Sequence, residues 1–591
     1  MIFGKHVNKY YLRYWYLLLG GIIALLAVDY FQLLIPDIIG DIIDGLNAIL
    51  KNKPIEEHLN LAKLKAYMID IFVIACVMFT GRFLWRITIF TMGANVESNL
   101  RDEMFVHSEK LSREYYNTHK VGEEMALYTN DLQTIRMTFG SGIMMMIDAI
   151  FLGSFAFIKM VKIDFVLTII SCIPLVVIVL FSSFVGGIMR KKFEKRQEAY
   201  AELTDFTQEN FTGMTVVKAF VKEEKEIKRF SKINDKNKKR NIEFVKFSML
   251  LNIGISVLLY SVVIVIILFS GYSASHGGDF TIGKLSKFIA YFNTITWPMM
   301  AIGQLINIRS QGKASLNRIN ALLDYPVEIK DEDVVHVEIK GNIKFNNLDF
   351  TYPGSTNKAL ENITLDIPQG TSVGILGKTG SGKTTLVDML LRIYNVEKGS
   401  IYIDGVDIMN IGLKNLRSSI GYVPQDNFLF SKTVLDNICF SEDTNDLEKA
   451  KMYAKYASVD TNIEDFPEKY NTVLGERGVT LSGGQRQRIS IARAMIKDPA
   501  ILILDDSVSA VDTETEEKIL GYLKETRKNK TTILVAHRIS TVKDMDLIVV
   551  VDEGKVIAKG THNELLQTSE QYKEMVLLQR LDEEEVISHE E

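Results

Sequence analysis

The sequence predicts two unlike halves, a helical membrane domain of six spans followed by a soluble α/β domain. Three observations carry that expectation. A chain of 591 residues is too long for one hydrophobic core. Apolar runs long enough to cross a bilayer fall in the first half only. In the second half the buried strand ILIL, from Ile501, delivers two consecutive carboxylates, Asp505 and Asp506, to its carboxyl end.

The expected spans are 15–36, 67–93, 139–160, 164–187, 247–272 and 284–307, each near the ~20 residues that a membrane helix needs. An even number puts both termini on one side. Orientation follows from the basic residues. Arg190, Lys191, Lys192, Lys195, Arg196, Lys236, Lys238, Lys239, Arg240 and Lys246 crowd one connection, whereas spans three and four are joined by a few residues around Lys162 and Asp164. The positive-inside rule places 94–138, 188–246 and both termini in the cytoplasm. No cleavable signal peptide is expected, because the run after Lys5, Lys9 and Arg13 is too long for one. Cys76, Cys172 and Cys439 share no ligand or disulfide spacing, and the two in apolar runs are expected to pack.

The two cytoplasmic segments keep helical periodicity with few Gly and no Pro. Folded as antiparallel helices they would reach ~35–40 Å from the bilayer. Their turns fall near Tyr115–Gly122 and Glu209–Thr215, where they would dock on a moving domain. Ionisable residues inside spans mark function by default. Asp29, Asp148 and the pair Arg82 and Arg86, four apart on one helix face, are candidates for a charged cavity wall or for an ion pair between spans. Asp37, Asp41 and Asp44 form an acidic face beyond span one, expected to be solvated rather than a gate. Trp297-Pro298 is a candidate kink lining the same pathway. The Met144–Met146 and Met299–Met300 clusters are expected to be ordinary packing.

Pro326 ends the last helix, and 324–338 is acidic and reads as an exposed connector. The second domain is expected over 339–580, with an acidic tail at 581–591. Its strand Ser372–Leu376 runs directly into Gly377, Lys378, Thr379, Gly380, Ser381, Gly382, Lys383 and Thr384, followed by Thr385. Between a strand and a helix, this G-x-x-x-x-G-K-T pattern is a phosphate-binding loop. Backbone N–H groups face the phosphates, Lys383 reaches the β/γ-phosphates, and Thr384 with Asp505 holds Mg²⁺. Tyr352 is placed to stack on a flat base, Gln425 follows a strand and is placed to sense Mg²⁺ and water, and His537 ends a strand near the γ-phosphate. Ser482, Gly483, Gly484 and Gln485 open an amphipathic helix whose uncovered start is a second anion site. One nucleotide does not need two, so this start is expected to face a nucleotide held by another copy of the domain.

These residues together make the chain resemble an ATP-binding cassette (ABC) exporter half-transporter, over essentially its whole length. The ordered set is Tyr352, Gly377–Thr384, Gln425, Leu481–Gln485, Asp505, Asp512 and His537. The resemblance implies a dimer with two ATPs between the nucleotide domains, a lipid-bilayer setting in the plasma membrane, and no nucleic-acid partner. It also makes Gly475–Gly478 a stretch that couples to the cytoplasmic arms. The family pattern puts Glu, the general base, directly after the strand Asp, and here Asp506 stands there. Asp is shorter by one C–C bond, ~1.5 Å, whereas a base must come within ~2.6–3.2 Å of its proton. The expectation is ATP binding with slow hydrolysis, as in the degenerate-site subunit of Gram-positive heterodimeric multidrug exporters, with a partner chain that carries Glu. A homodimeric lipid or peptide exporter is the alternative, and an ATP-gated channel or sensor a more distant one. With no peptidase domain before the spans, a leader-cleaving peptide exporter is less expected.

Overall fold

The structure, a computed structural model, describes residues 4–51, 59–276, 280–475, 478, 481–508 and 511–590, with backbone alone at 175, 178–184, 580 and 582–590. It divides into two units, Met1–Phe105 with Glu124–Asp324, and Val106–Glu123 with Tyr325–Glu591.

Among the described residues the first unit is helical apart from short connections, as a bilayer requires of chain that cannot hydrogen-bond to lipid. Its main helices are α1 (Trp15–Gln32), α2 (Leu34–Leu50) and α3 (Leu61–Ser108). After a tip that belongs to the second unit, the chain continues through α4 (Ile143–Ile163), α5 (Phe165–Thr212), α6 (Met214–Ala219), α7 (Glu223–Ser275) and α8 (Ile282–Leu323). The expected spans two to six each overlap one of these, and the first runs across α1 and α2. Among the described residues, four stretches are long and apolar enough to cross a membrane by composition: Trp15–Leu50, Leu61–Ser108, Val121–Ile163 and Glu223–Ser275. In α5 only Phe165–Pro174 registers as a shorter apolar segment. In α8 the apolar character is diluted by Lys284, Lys287, Asn293 and Gln304.

Span one differs from expectation. It breaks at Leu33 and restarts as α2, because Pro36 in the new first turn has no N–H to continue the old one. The acidic residues of α2 are not a solvated face. Asp37 accepts from Lys159 at 2.5 Å and from Tyr291 Oη at 2.6 Å, and Asp41 from Lys287 at 2.7 Å. Asp44 takes the Gly283 N–H at 2.8 Å and the Thr281 hydroxyl at 2.7 Å. These contacts bind α2 to α4 and α8. Pro298 lies inside α8 without ending it, and a Cβ at Gly153 of α4 would lie 3.2 Å from its ring. Cys76 is exposed rather than packed, Cys172 is half-buried and Cys439 is buried. Between the tip and α4, π-turns at Leu127–Asp131 and Thr138–Gly142 widen the helix where α8 crosses it. There Asp131 accepts from both Arg318 and Ser315.

The second unit holds two sheets. A four-stranded antiparallel one joins β1 (Ile343–Phe350), β2 (Leu360–Ile367), β4 (Ile401–Ile403) and β5 (Val406–Asp407) in the order β2-β1-β4-β5. A six-stranded one joins β3 (Ser372–Leu376), β6 (Ile420–Val423), β7 (Ile501–Asp505), β8 (Thr531–Ala536), β9 (Leu547–Asp552) and β10 (Lys555–Gly560) in the order β10-β9-β3-β8-β7-β6. All its pairings are parallel except β9 with β10. β7 and β8 are buried along their whole length, which explains their unbroken apolar sequences. The acidic connector is exposed over much of its length but is not loose. The fully buried Arg392 donates to the Lys330 carbonyl at 2.9 Å, Asp331 accepts the Leu413 N–H at 3.0 Å, and Val335 N–H reaches the Asn410 carbonyl at 2.8 Å.

Burial alone would raise the Asp131 carboxyl, but Arg318 and Ser315 hold it below the usual carboxylate range. A lowered carboxylate stabilises above its unfolded value and loses that contribution as pH falls through its folded one. Asp131→Ala is therefore expected to cost about 1–3 kcal/mol near neutral pH, since the carboxylate is buried but Arg318 is half exposed. Thermal melts in detergent should show the gap between wild type and variant closing below about pH 4.

Candidate functional site

β3 ends at Leu376, and the chain turns through Gly377–Gly382 before helix α9 (Lys383–Leu390) begins. No side chain fits at Gly377, because a Cβ would lie 2.2 Å from the Val551 carbonyl oxygen. Gly382, at φ +101°, sits in the left-handed region just before the helix. Lys383 is almost fully buried, and its Nζ donates to the carbonyls of Gly377 and Lys378, each at 2.8 Å. Burial holds its ammonium below the ordinary lysine value, opposed by Asp505 and Asp506. The Ser381 hydroxyl is buried without a partner.

Parallel pairing of β3 with β8 and of β8 with β7 brings the carboxylates to this loop. Thr384 Oγ1 donates to Asp505 Oδ1 at 3.3 Å, while Oδ2 of Asp505 is buried without a hydrogen-bond partner. Burial, with Asp506 beside it, pushes Asp505 above the usual carboxylate range. Asp506 leaves the strand at φ +47°, a conformation Asp tolerates better than most residues. Its N–H extends the ladder to the Val535 carbonyl at 3.0 Å, and its Oδ2 accepts from Gln425 Nε2 at 3.4 Å. His537 follows β8 directly and is close enough to Asp505 for charge interaction.

Helix α10 (Gly483–Met495) begins with a full capping box. Ser482 Oγ accepts the Gln485 N–H at 3.2 Å, and Gln485 Oε1 accepts the Ser482 N–H at 3.0 Å. A Cβ at Gly483 would meet open space, so the helix start is uncovered as expected. Among the described residues no hydrogen bond joins Ser482–Gln485 to Gly377–Thr384. Asp512 instead caps the following helix, α11 (Thr513–Thr526), by accepting the Thr515 N–H at 2.9 Å. Tyr352 is half-buried. Its hydroxyl meets Thr385 Oγ1 at 2.8 Å, and its ring packs edge-on against Phe350 and Tyr394. Glu476 and Arg477 lie outside the described residues.

The sequence reading missed three residues. Gln487 donates to the Asp506 carbonyl at 3.1 Å and ties α10 to the end of β7. Asp388, buried on α9, pairs with Arg113 at 3.2 Å. Arg113 opens the short tip helix Arg113–Thr118, which also packs Tyr115 edge-on to Tyr325 at 4.7 Å. The one available signal was a lone acid within the apolar run LVDML.

Two family models match the chain, the ABC transporter transmembrane region over residues 18–299 and the ABC transporter domain over residues 360–509. The chain belongs to the ABC transporter family. It is an ATPase-coupled, multi-pass membrane transporter with a helical transmembrane domain and an α/β ATP-binding domain. It is 36% identical to the probable multidrug resistance ABC transporter ATP-binding/permease protein YheI of Bacillus subtilis, over 98% of this chain and 97% of that protein. It is 33% identical to the ATP-dependent lipid A-core flippase of Desulfotalea psychrophila, over 85% of this chain and 88% of that one. The solved structure of a bacterial Atm1-family ABC exporter with ATP bound superposes with TM-score 0.76 at 25% identity, over 95% of this chain and 98% of that one.

Gly377→Ala is expected to lower ATP affinity at least tenfold, read by fluorescent-nucleotide titration, because the Val551 strand would have to move. Burial also pushes Asp388 up to about 6, opposed by Arg113 and reinforced by Asp505. A raised acid favours the fold below its unfolded value of about 4 and loses that contribution as pH climbs through about 6. Melting curves from pH 4 to 7 should show wild type losing on the order of 2 kcal/mol relative to Asp388→Asn.

Proposed function

We propose that this chain is one half of a heterodimeric exporter that moves lipophilic compounds out of the cell by alternating access, and that its own ATP site is the slow one of the pair. The observation that carries the reading is Asp506, which stands at the base position with its backbone fixed on both sides. Its N–H is held by Val535 and its carbonyl by Gln487, so the main chain cannot advance to make up for the missing methylene. A shortfall of about 1 Å at a base costs on the order of a hundredfold in rate. The capped, uncovered start of α10 is meanwhile suited to complete a partner's site.

In this reading the Gly377–Thr384 loop wraps the phosphates, and Lys383 turns from its loop carbonyls to the β/γ-phosphates. Tyr352 sits against the base, and Gln425 and His537 flank the γ-phosphate. The partner's nucleotide is met by Ser482, Gly483, Gly484 and Gln485. The hydroxyl of Thr384 and the unpartnered Asp505 oxygen are the hard donors that Mg²⁺ prefers, with Gln425 nearby. Mg²⁺ held there would offset phosphate charge. Closure of the nucleotide domains reaches the spans through the cytoplasmic arms, and the Arg113–Asp388 pair is one link on that route. Both termini and the nucleotide domain lie on the cytoplasmic side of the plasma membrane. The named relatives, one a probable multidrug resistance protein and one a lipid A-core flippase, support a lipophilic substrate.

Asp506→Glu in the purified complex should raise ATP turnover roughly tenfold to a hundredfold, and native mass spectrometry should show two kinds of chain. An unchanged rate, or full ATPase activity from this chain alone, would refute the slow site. A complex of one kind of chain would favour a homodimeric lipid exporter.

A further inference from the structure

The buried carboxylates described on the helices of the first unit are Asp29, Asp131 and Asp148. Asp131 is matched by Arg318, and even the less buried Asp37 and Asp41 have Lys159 and Lys287. Asp29 and Asp148 form no ion pair among the described residues. They are 3% and 9% exposed, and Oδ2 of Asp29 and Oδ1 of Asp148 have no hydrogen-bond partner. The two groups lie within electrostatic reach of each other. The Trp297 indole N–H, from α8, donates to Asp148 Oδ2 at 3.3 Å.

Cations are at hand on the adjacent helix yet turn elsewhere. α3 approaches α1 so closely that a Cβ at Gly81 would lie 2.7 Å from Val28, one residue from Asp29. Arg82, next along, reaches Gln32 at 3.4 Å, and Arg86 lies 5.6 Å from the Trp85 ring. Both arginines are exposed. The expected ion pair between these three spans is therefore absent among the described residues. Two ionised carboxylates without a counter-charge are not tolerated in a low-dielectric interior, so the pair must hold a proton or a cation. Trp297, whose N–H edge meets Asp148, is 38% exposed and adds an indole ring that a cation can use.

We infer that Asp29, Asp148 and Trp297 form a cation site in the transmembrane unit, which holds a proton at rest and exchanges it for a monovalent organic cation with an apolar body. On binding, the carboxyl O–H breaks, its proton leaves to water, and the cation takes over the charge balance. A divalent metal is disfavoured, since two carboxylates and an indole supply few of the six or so oxygens it requires. The inference rests on the export reading and names the class of compound carried.

The test uses the complete transporter in nanodiscs, with tetraphenylphosphonium as the permanent cation and Nile red as the neutral lipophile. Dicyclohexylcarbodiimide, which attacks protonated buried carboxyls, is expected to label Asp29 or Asp148, as read by peptide mass spectrometry. Saturating tetraphenylphosphonium should cut that labelling at least fivefold, and Nile red should not. Asp29→Asn with Asp148→Asn should weaken tetraphenylphosphonium binding tenfold or more. Absence of labelling, labelling that the cation does not suppress, or undiminished affinity in the double variant each overturns the site. The labelling arm uses wild type, so a variant that misfolds does not blunt the test. ATP-driven uptake into inverted vesicles separates the two readings. If neither compound is moved, the export reading fails. If Nile red is moved but tetraphenylphosphonium neither binds nor protects, only the cation site fails.

Discussion

Parallel pairing of β3, β8 and β7 is the constraint on which the catalytic half depends. It brings the phosphate loop, which follows β3, and the two carboxylates that end β7 to one edge of one sheet, with β8 between them and His537 at its end. The contact that results, Thr384 to Asp505 at 3.3 Å, joins residues 121 positions apart in the chain. Burial then sets the chemistry. The same apolar strands that hold these groups in place also desolvate them, which raises Asp505 and lowers Lys383 and so prepares both for a polyanion and its cation. Asp506 is held at its N–H by Val535, at its carbonyl by Gln487 and at its carboxylate by Gln425.

The helical half obeys a harsher version of the same rule. With its backbone satisfied inside each helix, what distinguishes one helix contact from another is where the buried charges go. Asp37, Asp41 and Asp44 hold α2 to α4 and α8, and Asp131 holds the π-turn before α4 to α8. Asp29 and Asp148 carry no ion pair among the described residues, and Asp148 meets α8 through the Trp297 N–H instead. The close approach of α1 to α3 at Gly81 shows that the arrangement comes from packing and not from loose space.

Much of this was legible along the chain. The span positions, the phosphate loop, the Ser482 cap and the carboxylates after ILIL all depend on neighbours within a few residues, where periodicity and local hydrogen bonding decide the outcome. The acidic face of α2 was misread because spacing shows that three Asp share a side but not that Lys159, Lys287 and Tyr291 wait opposite. Tyr352 was assigned to a base, while its surroundings also include Phe350, Tyr394 and Thr385, none of which its position in FTYPG announces. Gln487 and Asp388 passed unnoticed because a polar residue on an amphipathic helix usually faces water, and nothing local says that these two do not.

The sequence by itself therefore determined the two-part architecture, the strand–loop–helix order of the glycine-rich loop and the two carboxylates that follow ILIL, since each is written in contiguous residue types and spacings. Only the tertiary structure decided which charges are neutralised. Ion pairs and desolvation are set by distances between segments that the chain order leaves unspecified, and among the described residues Lys159 and Arg318 find carboxylates whereas Arg82 and Arg86 do not. For the same reason, tertiary packing alone left Asp29 and Asp148 within electrostatic reach of each other, with the Trp297 N–H on Asp148.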